Sequence, residues 1–195
     1  MGPPEVERAA RVRTVLGDVD VAALGPTNYH EHLFQVSPLL VGEELDDEDA
    51  SRAEAASLRG SGFAAMVDAT PTGLGHRPAA VARISRAAGL HVVATTGAHR
   101  EPHYGAGHWL LEQSEEQLAV RFTADVEEGL PVQDGPGWVG PGPVGPGPVD
   151  AAIGPTGEPV RAGVVKAGIG YWSITASSTE CWPPLPRPGI AAGPR

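Results

Sequence analysis

Apolar and polar positions alternate loosely over residues 10–24, with turn residues at Gly17-Asp18, which predicts a short β-hairpin. A strand follows over about Thr27 to Leu33, introduced by the Gly25-Pro26 turn signal. Asp46-Asp47-Glu48-Asp49-Ala50 opens a helix, because acidic residues in a first turn suit the positive end of the helix dipole. Ala50, Ala53 and Ala56 give that helix a small-residue face, and Gly60 or Gly62 ends it. Phe63-Ala64-Ala65-Met66-Val67 is a short apolar run between turn residues, as in a buried parallel strand. Pro78 suits the first turn of a second helix, whose stripe is Val81, Ile84 and Ala88 and whose stop is Gly89. Leu90 to Thr96 is a third strand, rich in β-branched residues. Ser114-Glu115-Glu116-Gln117 is a capping box that starts a third helix, with Leu118, Phe122 and Val126 facing the core. Val164-Val165-Lys166 makes a fourth strand. The order βαβαβα is that of a parallel sheet with crossover helices.

Two stretches break the pattern. Residues 134–160 are rich in Gly and Pro and contain the near-repeat Gly140-Pro141-Gly142-Pro143-Val144-Gly145-Pro146-Gly147-Pro148. We expect an irregular or polyproline-like insertion there, without chemistry of its own. Past Ile174 the chain loses both helical and strand periodicity, and 175–195 is expected to be an irregular tail. The expected domain is therefore 1–174.

Composition narrows the function classes. A chain of 195 residues can bury a real core but is short for a full eight-stranded barrel, which typically takes ~250 residues. The net charge of −10 disfavours nucleic acid and anionic membranes as partners. Cys181 is the single cysteine, so no internal disulfide can form. The start lacks the apolar segment of a signal peptide, and no apolar run approaches the ~20 residues of a membrane span. A cytoplasmic location is expected.

The chemistry centres on His30 and His32. In an extended strand, side chains two apart share a face, so the two imidazoles stand side by side and Glu31 points into the packing behind. Neutral imidazoles are good ligands for zinc and similar ions, and two on one strand are half of a chelate. The blander reading is two polar residues on a strand edge. His99, His103 and His108 are irregularly spaced on a Gly/Pro-rich loop, and His91 reads as a packing residue. Lys166 ends an apolar strand and, read from the residues alone, snorkels to solvent.

Leu24-Gly25-x-Thr27-x-x-His30-Glu31-His32-Leu33 resembles the opening signature of the phosphotriesterase family within the amidohydrolase superfamily. Val67-Asp68-Ala69-Thr70-Pro71, Leu90 to Gly97, Asp125 to Gly129 and Arg161 to Gly168 agree with that family in the same order. The resemblance implies an α/β fold, the N-terminal half of a TIM (β/α)8 barrel carrying a small N-terminal β-hairpin. It implies a hydrolase that uses two divalent ions, zinc or else manganese or cobalt, on a small-molecule phosphotriester or lactone. His30 and His32 match metal ligands of the family. Lys166 matches its lysine that takes up CO2 as a carbamate and bridges the metals. His99 stands about where relatives line the substrate pocket with an aromatic, and Tyr171 and Trp172 are further pocket candidates. Asp68 is not a family ligand position and is given a structural or supporting role. His76-Arg77 stands where the family usually has Arg-Asp.

The family's two later histidines and metal-binding aspartate have no counterpart, since no His or Asp follows Lys166. The expectation is thus an incomplete, inactive fragment of such an enzyme, with a homo-oligomer as one way to cover exposed strand edges. The alternatives are a non-catalytic metal-binding or interaction module and a non-functional gene fragment.

Overall fold

A computed structural model describes residues 10–133, 135 and 150–169. The hairpin pairs β1 (Arg11–Thr14) with β2 (Gly17–Asp20), antiparallel, with Gly17 at φ +117° in the turn. Four parallel strands then form one sheet in sequence order: β3 (Thr27–Glu31), β4 (Ala65–Asp68), β5 (His91–Ala98) and β6 (Ala162–Ala167). Helices α1 (Glu48–Gly60) and α2 (Pro78–Ala88) supply the first two crossovers, and α3 (Glu115–Glu127) lies between β5 and β6. This is half of a (β/α)8 barrel with a hairpin at its base, where Val15 N–H donates to the Val92 carbonyl.

Strand register sorts the side chains into two faces. Met66 pairs with Val92 and Asp68 with Ala94, so these four share the face that meets the helices. Met66, Val92, Ala94 and Ala162 pack there with Ala55 of α1 and Val81 and Ile84 of α2. Thr95 pairs with Val164 and Gly97 with Lys166, on the face that turns away from the helices.

Local signals explain the helix ends. Asp47 caps α1 by accepting from the N–H groups of Asp49 and Ala50. Gly89 closes α2 at φ +63°, and the capping box of Ser114 and Gln117 forms on α3. The face of α1 differs from expectation. Ala50, Ala53 and Ala56 are exposed, and Ser51, Ala55 and Leu58 turn inward. Leu58 is the helix's one large apolar side chain, so its burial sets the stripe, and Ser51 Oγ joins it by donating to the Leu33 carbonyl.

The Gly/Pro-rich interruption also proves narrower than 134–160. From residue 150 onward the chain is tied down: Ala152 N–H donates to the Leu130 carbonyl and Val160 N–H to that of Ala152. Ala152 and Val160 are buried. The repeat itself, like the 175–195 tail, lies outside the described residues.

Between helices and sheet lies a buried polar layer. Arg121 and Asp125, one turn apart on α3, are 2% and 1% exposed and 3.0 Å apart. Thr96 of β5 donates to Asp125 at 2.5 Å. His76, at the start of α2, is buried and acts electrostatically on both Asp125 and Asp68. Burial pushes the Asp68 carboxyl up to about 6, against the pull of His76 and of its bonds to Thr70 and Leu33.

Removing one partner of a buried ion pair strands the other charge. Asp125→Ala is therefore expected to destabilise the chain by about 3–5 kcal/mol, read as the shift of a urea midpoint; a loss below about 1 kcal/mol would contradict it. The second prediction concerns pH. Asp68 binds its proton more tightly in the folded chain than in the unfolded one, where its carboxyl titrates near 3.8. Its contribution to stability is thus full below that value and fades as pH rises towards 6. Asp68→Asn removes the titration, so the variant should gain on the parent by roughly 2–3 kcal/mol between pH 4 and pH 7. Parallel unfolding curves at the two pH values would contradict this.

Candidate active site

The C-terminal ends of parallel strands open on one mouth, which is where (β/α)8 barrels build their sites. His30 lies in β3 and His32 just beyond it. Their rings are 5.2 Å apart in an edge-on arrangement. The strand carries an irregularity between Asn28 and Glu31, where Asn28 accepts from His30 N–H and donates to the Glu31 carboxylate. Glu31 is in register with Asp68 and so faces the helix side as expected, beside Ala55 and Leu58 of α1, but it remains exposed there.

His32 is fixed more firmly than His30. Its Nδ1 lies 2.8 Å from the Thr70 hydroxyl. Burial, and then Lys166, His30 and His103, hold its imidazole down to about 4, so it is neutral at pH 7.

Lys166 reaches the same mouth from β6. Its ammonium donates to the Ala69 carbonyl at 2.9 Å, instead of snorkelling free to solvent. Half-burial lowers its proton affinity, opposed by the carboxylate of Asp68. Gly97 makes this placement possible. It faces Lys166 at φ +102°, and a Cβ there would run into the Lys166 backbone.

His99 stands at the end of β5. Its Nδ1 accepts from Arg100 N–H at 2.7 Å, and its ring lies 3.8 Å from that of His103. Burial first, then His103, Lys166, Arg100 and His32, hold it down to about 3. His99 therefore belongs to the mouth, with His32 and Lys166 acting on it. His103 is occupied on both nitrogens, 3.3 Å from Ser37 Oγ and 3.3 Å from an Arg100 nitrogen. His108 caps the following turn, where its Nδ1 accepts from Leu110 N–H. His91 starts β5, at the far end from the mouth. Tyr171 and Trp172 lie outside the described residues.

Several members of this site were not read from the sequence. Thr70 falls within a stretch that resembles the family, but nothing in the sequence marks its hydroxyl for His32. Arg100 and Ser37, which hold His103, carried no signal. Arg121 and Asp125 did carry one, as an oppositely charged pair four residues apart on a helix.

A donor set of two imidazoles and one lysine suits one edge of a metal's coordination. Among the described residues, no group of three or more His, Cys, Asp or Glu gathers in a way that could hold an ion. No helix among them is long and apolar enough to cross a membrane.

Comparison with known proteins agrees with the half-barrel fold. A phospho-furanose lactonase of Mycoplasmopsis synoviae is 28% identical over 189 residues, covering 93% of this chain and 49% of that protein. A phosphotriesterase homology protein of Mycobacterium tuberculosis is 32% identical over 133 residues, covering 61% of this chain and 40% of that one. The solved structure of an amidohydrolase from Mycoplasma synoviae superposes with a TM-score of 0.67 at 27% identity, over 89% of this chain and 47% of that structure. A lactonase from Listeria monocytogenes gives 0.64 at 25%, over 88% and 51%. The chain thus spans about half the length of the curated relatives it matches. The family model described as the phosphotriesterase family matches residues 10–134. With that match over more than half its length, and with a half-barrel fold to go with it, the chain belongs to the phosphotriesterase family.

Proposed function

We propose that residues 10–169 form the first half of the active site of a metal-dependent ester hydrolase acting on a small lactone or phosphotriester. The observation that carries this reading is that the His30 and His32 rings stand 5.2 Å apart at the mouth onto which Lys166 also opens, close enough to act electrostatically on His32. A lactone is the favoured substrate. Relatives are named as lactonases, and the basic groups around the mouth suit an ester that carries an anionic substituent.

His30 and His32 would hold one ion, and His32 is already neutral as a ligand must be. Lys166 is drawn towards the free amine, the form whose lone pair adds to CO2 with loss of a proton. The resulting carbamate would bridge to a second ion. His99 lines the substrate side, and Tyr171 and Trp172 are carried as further pocket residues. Two divalent ions, zinc with manganese or cobalt as alternatives, would supply a hydroxide nucleophile and polarise the ester oxygen. The protein is placed in the cytoplasm, with no nucleic acid or membrane as partner.

The described ligands are too few for two ions. The 195-residue chain is expected to bind at most one zinc or cobalt ion weakly, and His30→Ala should abolish that binding. Elemental analysis after dialysis that finds two retained ions would overturn the half-site. No lactonase or phosphotriesterase turnover above a His30→Ala, His32→Ala control is expected with zinc, manganese or cobalt. Metal-dependent turnover lost in the control would show that the chain completes its own site.

Strand edges generate a further prediction. Among the described residues β3 and β6 each have one neighbour in the sheet, and Val164 and Val165 are 39% and 37% exposed. Unpaired edges with apolar side chains associate. The chain should elute as an oligomer in size-exclusion chromatography with light scattering, and Val165→Lys should shift it towards monomer. A clean monomer at all concentrations would contradict this.

A further inference from the structure

The contacts of Thr70 say more about His32 than proximity. The side chain of Thr70 is fully buried in the loop after β4, and its N–H is aimed at the Asp68 carboxylate at 3.3 Å. Its hydroxyl oxygen lies 2.8 Å from Nδ1 of His32 and 2.8 Å from the Phe34 carbonyl oxygen. A carbonyl can only accept, so the one hydroxyl proton goes to Phe34. The lone pair of the hydroxyl then faces His32, and Nδ1 must donate to it. A neutral imidazole carries one proton, so Nε2 is left with its lone pair bare.

The opposite tautomer would be self-defeating. A bare Nδ1 would draw the hydroxyl proton away from Phe34 and leave that buried carbonyl without its donor. We infer that Thr70 is a positioning residue that locks His32 as the Nδ1–H tautomer and presents Nε2 as the ligand atom. Among the described residues His30 shows no such device; its backbone N–H is tied to Asn28. His32 is therefore the prepared ligand of the pair and His30 the adaptable one. As a statement about metal binding this rests on the hydrolase reading above; as a statement about the tautomer it does not.

The two parts can be tested separately. Long-range proton–nitrogen correlation spectra of the metal-free chain, labelled at histidine and assigned with His32→Gln, report which ring nitrogen carries the proton. A protonated Nδ1 on His32 is expected in the parent and in Thr70→Ser, and loss of that preference in Thr70→Val. Cobalt titration should then show ~10–100-fold weaker binding in Thr70→Val, the usual effect of removing the partner of a metal-binding histidine, and near-parent binding in Thr70→Ser. A His32 protonated at Nε2 in the parent would overturn the inference, as would parent-like cobalt affinity in Thr70→Val. Should Thr70→Val fail to fold, the parent spectrum alone still decides. A chain that binds no cobalt would sink the metal reading while the spectrum still settles the tautomer.

Discussion

Parallel pairing of β5 with both of its neighbours is the constraint on which the site depends. Parallel strands share a direction, so their C-terminal residues come out at one mouth whatever the helices between them do. His99 and Lys166 become neighbours because Gly97 pairs with Lys166 and Ala98 with Ala167, not because anything attracts a lysine to a histidine. Gly97 is the point where this is most sensitive. The two backbones run so close there that only a residue without a Cβ fits. A slip of one residue between β5 and β6 would send Lys166 to the helix-facing side, out of reach of the Ala69 carbonyl.

The same pairing creates the polar layer behind the sheet. Because side chains alternate, putting Gly97 and Lys166 on the mouth-lining face commits Thr96 to the helix side. Asp68, in register with Ala94, is committed there too. Both are then buried, and burial demands partners. Thr96 finds Asp125, which finds Arg121. Asp68 finds Thr70 in its own loop and the backbone of Leu33 just after β3. The site and the layer behind it are thus two faces of one register. Thr70 joins them, donating its backbone N–H to Asp68 behind and presenting its hydroxyl oxygen as the acceptor for His32 in front.

How much of this could be read in advance followed the range of the interactions. The hairpin, the helix ends and the strands were legible because their signals are local: glycine at a positive φ, a capping box, a short β-branched run. His30, His32 and Lys166 were legible as a group only through the family resemblance, since strands more than a hundred residues apart bring them together. The stripe of α1 was misread because three alanines at regular spacing look like a buried face, while a single leucine decides which face is buried. Glu31 takes the face the alternation predicts, but its exposure there is not visible in an alternation count. Ala152 and Val160 were hidden in a Pro/Gly-rich stretch whose composition says loop, although their side chains fill the core. Thr70 was beyond reach for another reason: a threonine has no special pattern, and its role comes from two neighbours in the segment after β3, the Phe34 carbonyl that accepts its proton and the His32 ring nitrogen that faces its lone pair.

The electrostatics of the mouth give the arrangement its direction. The groups that act on His32 and His99 are basic: Lys166, His30, His103 and Arg100. Such a collection cannot hold all its protons at once, and the cheapest to give up are those of the half-buried imidazoles. Neutral imidazoles are what a metal ion requires, so the burial that first lowers their proton affinity, and the basic neighbours that lower it further, also suit them to that role. Lys166 is the exception, since an ammonium beside two would-be ligands repels the cation they are to bind. On the proposed reading, conversion to a carbamate would reverse the sign of that one group, from a cation that opposes a metal ion to an anion that attracts it. Lys166 would then be the residue on which the mouth's preference turns, between anions when it is protonated and metal ions when it is carboxylated.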